Sequence, residues 1–269
     1  MIVTVLFFLV SIGSSIVGAI CGIGGGVIIK PVLDATGVLS VSGISFLSGC
    51  TVLAMSVVSE YKNLRSGGEK LQVKIATALA VGAAVGGIAG KAMFESLKRM
   101  VGDENLVGMV QAIVLMAITL MTFVYTLLQS KIRTKHCKNL VLCLIIGLVL
   151  GIFSSFLGIG GGPINLMVLG YFFSMRAKEA AMSSLYIIMF SQITSLVQTI
   201  ATGSIPSVSP LYLVMMVVGG ILGGMIGSKI NKRLKEEDVS HLFLVLMLVI
   251  VAINIYNAVK FGIAWQGGA

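Results

Sequence analysis

Gly22-Ile23-Gly24-Gly25-Gly26-Val27-Ile28-Ile29-Lys30 ends one apolar run and opens another. Four of its first five residues are glycine, and each costs a helix roughly 1 kcal/mol against alanine. The apolar arm 2–21 therefore stops here, and a shorter arm, 26–36, follows. In lipid such a break is tolerated only where the freed backbone is buried in protein or lines a cavity. The same pentapeptide returns 136 positions later as Gly158-Ile159-Gly160-Gly161-Gly162, between the apolar runs 140–157 and 163–173. Glycine-rich helix packing is the plain alternative for either copy alone. Two copies in matching contexts point instead to paired broken segments, the sequence signature of a transporter's binding site.

The chain around these breaks has 269 residues, 57% hydrophobic and 11% charged, with a mean hydropathy of +1.05. Soluble domains are nearer 45–50% apolar and about 25% charged, so the composition is that of a polytopic membrane protein. Its apolar runs have helical length and lack the short alternating segments of a membrane barrel, which makes the fold all-α. No Lys or Arg precedes Lys30, so the basic start of a cleavable signal peptide is missing and the first run is read as part of the fold. The net charge of +9 sits mainly in short linkers between apolar runs, where the positive-inside rule places it. The expected partner of this charge is the lipid bilayer and not nucleic acid. Four cysteines contain no Cys-x-x-Cys pair, and His136 beside Cys137 supplies two ligands at most. No metal and no cofactor is expected.

A second signature repeats in the same order. Gly82, Gly86, Gly87 and Gly90 correspond to Gly219, Gly223, Gly224 and Gly227 at a constant offset of 137. Full-length helices are predicted at about 41–60, 75–94 and 106–129, and again at 180–201, 211–229 and 241–259. The chain thus divides into a first transmembrane repeat at 1–130, a basic linker at 131–139 and a second repeat at 140–269. Linkers 62–74, 131–138, 176–178 and 229–235 hold fourteen of the nineteen Lys and Arg residues. With all four in the cytoplasm, segment 139–175 begins and ends on one side. Its second arm, ten or so residues long, spans only ~15 Å of the ~30 Å hydrocarbon core. A re-entrant hairpin is expected in each repeat, followed by three crossings. Three is odd, so the second repeat is inverted, and both termini and loop 203–209 are external.

Helix N-termini at the two breaks favour an anion, and glycine lets a ligand reach bare backbone. Gly24, Gly25, Gly26, Gly160, Gly161 and Gly162 are therefore the first candidates for substrate contact. Lys30 reads as the one charged residue deep in an apolar segment, which makes it functional by default. Snorkelling to the surface is its alternative. Asn165 lies beside Leu166, the position equivalent to Lys30. Ser14, Ser15, Ser154 and Ser155 precede the breaks, and Ser48, Cys50 and Thr51 on one helix answer Ser183, Ser184 and Gln192 on its partner. Hydroxyls and amides suit an oxyanion that must be released again. No apolar segment holds a convergent nucleophile and base, so no catalytic residue is expected. Acidic residues fall outside the predicted helix centres, so transport driven by membrane potential is expected over proton coupling.

Two apolar arms ending in G-x-G-G-G, each followed by a short arm and a helix of small polar residues, resemble the sulfite exporter family (TauE/SafE transporters). The resemblance covers essentially the whole chain. It implies a multi-pass protein of the bacterial inner membrane that exports sulfite, sulfoacetate or a related organosulfonate. The alternatives are an anion channel and a carrier for another small anion such as a carboxylate.

Overall fold

The computed structural model describes residues 2–65 and 72–267. Gly67, Gly68 and Lys70 of the predicted loop lie outside the described residues. The described residues form ten α-helices and one 3-10 turn, Gln129–Lys131, with no strand. The first five helices are α1 (Ile2–Cys21), α2 (Gly26–Thr36), α3 (Val41–Arg65), α4 (Val73–Val101) and α5 (Glu104–Leu128). The rest are α6 (Leu140–Leu157), α7 (Pro163–Phe173), α8 (Ala177–Ala201), α9 (Pro210–Arg233) and α10 (Glu236–Gly267). Eight are long and apolar enough to cross a membrane. The exceptions, α2 and α7, have 11 residues each.

Local chemistry sets the ends. Asp103 accepts from the Asn105 N–H at the start of α5, and Asn139 accepts from Val141 at the start of α6. These side chains serve N–H groups that the helix itself cannot pair. Pro163 and Pro210 occupy first turns, where a missing N–H is harmless. Several helices outrun the apolar stretch that announces them. Helix α3 continues to Arg65, α4 to Val101 and α10 from Glu236 to Gly267. Glu, Lys and Arg are good helix formers, so the helix continues past the point where hydropathy drops. Glu60, expected at a helix end, consequently sits inside α3 and is buried.

The glycine stripes hold the bundle together. A Cβ on Gly82, Gly86 or Gly90 would fall 2.1–2.3 Å from the carbonyl oxygens of Leu144, Leu148 and Ile152 on α6. On α9, Gly223 and Gly227 face the carbonyls of Ile12 and Ile16 on α1 at 2.6 and 2.4 Å by the same measure. Such approach between backbones is how membrane helices gain packing without a hydrophobic drive. Each arm that ends in a glycine break therefore lies along the glycine helix of the other half. Further contacts between the halves put α3 on α9, α8 on α4, α2 on α10, α7 on α5, and join the pairs α5–α10 and α3–α8. Exchanging the corresponding helices of the two halves leaves these contacts unchanged.

Large apolar residues such as Val81, Val85, Ile145, Val149, Val245 and Leu248 are exposed on the outside of the bundle, as a lipid solvent allows. The four basic linkers collect at one end. The Lys232 ammonium donates to the Lys62 carbonyl, Lys178 to the Leu234 carbonyl, Gln72 to Glu179, and the Lys135 N–H to the Tyr171 carbonyl. At the opposite end, the Lys98 ammonium lies 2.8 Å from Glu104, whose carboxylate also accepts from Ser42.

Candidate functional site

The two glycine breaks cross at the centre of the bundle. The Gly162 N–H donates to the Ile23 carbonyl at 3.1 Å. A Cβ on Gly26 would lie 2.3 Å from the Ile159 carbonyl oxygen. Residues 21–27 and 157–165 are buried. Val52 of α3 and Ile188 of α8 wall the crossing, both with no exposed surface. Gly24, Gly160, Gly161 and Gly162 take positive φ between 75° and 119°, a region that side-chain-bearing residues avoid.

This crossing carries polar groups without partners. The N–H groups of Gly24, Gly25, Gly26, Gly160 and Gly161 have no backbone acceptor among the described residues. The buried hydroxyls of Ser15 and Ser48 and the Oδ1 of Asn165 are unpaired as well, and on α8 so is the hydroxyl of Ser183, next to the Ser184 that meets Asn165. Two of the hydroxyls touch the breaks: Ser48 Oγ lies 2.9 Å from a Cβ placed on Gly26, and Ser15 Oγ 3.1 Å from one on Gly25. Native proteins pair the great majority of buried donors, and each one left bare costs about 1–3 kcal/mol. The N–H and hydroxyl groups of this cluster can donate to an acceptor, whereas Asn165 Oδ1 can only accept.

Cavities lie on either side. The first, of ≈ 190 Å³, opens toward the basic linkers and is lined by Ala19, Asn63, Lys178, Ala181, Met182, Leu185, Ser228, Asn231 and Lys232. It borders the first break, since a Cβ on Gly22 would collide with Ala181. The second, of ≈ 30 Å³, includes Gly158 of the second break together with Ser45, Phe46, Gly49, Cys50, Lys91, Ser155, Gln192 and Thr199. Shifted by the repeat offset, Ala19, Asn63, Ala181, Met182 and Leu185 become Ser155, Thr199, Ser45, Phe46 and Gly49. Ser228 becomes Lys91 at the glycine-helix offset of 137. The two cavities are one feature built twice.

The other predicted residues divide. Asn165 donates to the Ser184 hydroxyl at 3.2 Å, and Gln192 to the Ser154 hydroxyl, which is 2.9 Å from Ser191. Cys50 and Gln192 line the second cavity. Thr51 returns its hydroxyl to the Leu47 carbonyl and packs against Gly220 of α9, so it belongs to the helix contact. Lys30 is 3% exposed, with its ammonium 2.7 Å from the Asp34 carboxylate one turn along α2. Its charge is thus paired inside the protein instead of reaching the surface.

Sequence reasoning missed several groups. Lys91 and Asp34 lie within helices, so Lys30 is not alone in carrying charge there. Lys91 pairs with Glu95 at 3.0 Å beside the second cavity. A lysine one residue beyond Gly90 in an apolar run was a readable signal for it. Glu60, 3% exposed and next to Asn63 one turn along α3, was hidden by the misplaced end of that helix.

Paired glycine breaks crossing between two polar cavities, inside a bundle of membrane-length helices, define a polytopic membrane transport protein. The family model described as Sulfite exporter TauE/SafE matches residues 6–255, and the chain belongs to that family of transporters. Comparison with curated proteins and with solved structures gives no match.

Proposed function

We propose that the protein is a secondary transporter that exports a small sulfur-containing anion, such as sulfite or sulfoacetate, by alternating access. The observation that carries this reading is the cluster of unpaired N–H and hydroxyl donors at the crossing, between two cavities of matching construction. Gly24, Gly25, Gly26, Gly160, Gly161 and Gly162 supply backbone donors, and Ser48, Ser183 and Asn165 supply side chains. Ser184, Gln192 and Cys50 shape the path, and Thr51 and Lys30 act through packing and charge. An anion accepts several of these donors at once, and the positive ends of α2 and α7 add to its attraction.

Unequal cavity volumes support alternation. A space of ≈ 30 Å³ has room for only a water or two, whereas ≈ 190 Å³ admits a small oxyanion. The cavity on the basic side is the larger of the two, and the backbone bond between Gly162 and Ile23 lies between them. The exchangeable helix contacts fit two inverted repeats, 1–130 and 140–269, each a glycine-broken re-entrant hairpin and three crossings. The basic end then faces the cytoplasm of a bacterial inner membrane, and both termini are external.

The test is sulfite flux into proteoliposomes for the wild type and for Ser48→Ala/Ser183→Ala. These hydroxyls have no partner to lose, so the double variant should melt at or above the wild-type temperature. Its flux should fall at least tenfold. Unchanged flux would remove the crossing as the binding site.

A further inference from the structure

The cavity at the basic end holds more than an open path requires. Its wall combines the Lys178 ammonium, the Lys232 side chain, the amides of Asn63 and Asn231, and the buried Ser228 hydroxyl. We propose that this cavity is a separate anion-capture site, centred on Lys178, which takes an oxyanion from the basic face before it reaches the glycine crossing. The proposal rests on the transport reading above and adds a second station to it.

Lys178 is half-buried, and its ammonium is anchored on the Leu234 carbonyl. That contact fixes the position of the charge without neutralising it, because a carbonyl carries no net charge. No carboxylate lies within ion-pair distance of the Lys178 ammonium among the described residues. Two carboxylates stand near this wall: Glu236 accepts from the Lys178 backbone N–H at 3.5 Å, and the buried Glu60 lies beside Asn63. Lys232 adds a second positive charge and donates to the Lys62 carbonyl at 3.3 Å. Asn231 is tied to the Ile20 carbonyl, at the end of α1 next to the first break. The cavity therefore joins a fixed positive charge to the backbone of the crossing.

The counterpart cavity shows what this side has that the other lacks. Position 232 corresponds to Glu95 and position 228 to Lys91, and those two form an ion pair at 3.0 Å. The opposite cavity is thus lined by a lysine that is already neutralised. An anion gains more from charge on the basic side than on the other, so the basic side saturates at the lower concentration. Small divalent or monovalent oxyanions, such as sulfite, sulfate or the sulfonate group, match the cavity in charge and size.

The experiment is calorimetric titration of sodium sulfite into the full chain in lipid nanodiscs, at constant pH and ionic strength. The proteins are the wild type, Lys178→Met, Lys178→Arg, Ser48→Ala/Ser183→Ala and the triple variant that adds Lys178→Met to the serine pair. The serine pair should lose flux yet retain sulfite binding, and the triple variant should lose that binding at least tenfold. Lys178→Arg should stay within about threefold of wild type, which separates loss of charge from loss of fold. Equal binding by the serine pair and the triple variant would overturn the capture site. Loss of all binding in the serine pair would overturn it too, since a single site at the crossing would then suffice. A wild type that neither binds nor transports sulfite, sulfoacetate or sulfate would instead defeat the transport reading itself.

Discussion

The two halves of this protein build the same elements from the same glycine spacing, yet they equip them differently. Helix α2 carries a buried Lys30–Asp34 pair, and the equivalent positions of α7 are Leu166 and Gly170. One cavity is lined by Lys178 and Lys232, and its counterpart by Lys91 paired with Glu95. The glycines that set helix approach are shared, and the charges are not. Architecture follows from backbone contact, which both halves need equally. On the capture proposal, the difference in charge sets how readily each face takes up the anion, while the gradient and the membrane potential set the direction of net flux.

The largest effect expected from making the halves alike concerns α2. Lys30→Leu removes one partner of a buried pair and strands the Asp34 carboxylate, whose Oδ1 is already unpaired. Breaking such a pair costs about 3–5 kcal/mol, so the variant should melt well below the wild type in detergent. Lys30→Leu/Asp34→Ala should recover most of that loss, since removal of both charges is often neutral. Thermal unfolding followed by size-exclusion chromatography checks both. Equal losses in the single and double variants would show that the pair is not what Lys30 contributes.

A smaller effect is expected at the opposite cavity. Glu95→Gln leaves Lys91 without its carboxylate, which gives this side a positive charge like that of the basic end. The pair is partly exposed, 12% and 27% for its two side chains, and such pairs are worth at most about 1 kcal/mol. The half-saturating sulfite concentration measured from this face should fall about threefold. A rise, or no change, would separate Lys91 from the path.

Much of this was legible in the sequence because glycine spacing is a backbone signal. The duplicated Gly-x-Gly-Gly-Gly and the stripes Gly82–Gly90 and Gly219–Gly227 announce the contacts found between α4 and α6 and between α1 and α9. Charge in the linkers announced the end at which they collect. What the sequence concealed depends on three-dimensional pairing. Lys30 looked solitary because Asp34 was placed at a segment end, whereas the helix puts the two one turn apart. Glu60 looked terminal because hydropathy falls before α3 does. The cavities were unreadable as such, since each draws on four helices of both halves. Only once those helices are placed does the repeat offset relate one lining to the other. Glu60, buried within α3, also removes the premise that no acidic group lies within the helices, so freedom from proton coupling no longer follows from the sequence.

Alternating access requires the two cavities to open in turn around the shared crossing. Met182 lines the larger cavity and Phe46 its smaller counterpart, at equivalent positions of the two halves. Met182→Cys and Phe46→Cys, each in a background with the four native cysteines replaced, can be labelled with a water-soluble maleimide in proteoliposomes. Sulfoacetate serves as the probe anion because it does not react with the reagent. Without it, Met182→Cys should label fast and Phe46→Cys slowly. With saturating sulfoacetate the two rates should move in opposite directions, the first falling as the second rises. Rates that rise or fall together, or that ignore the anion, would contradict the account.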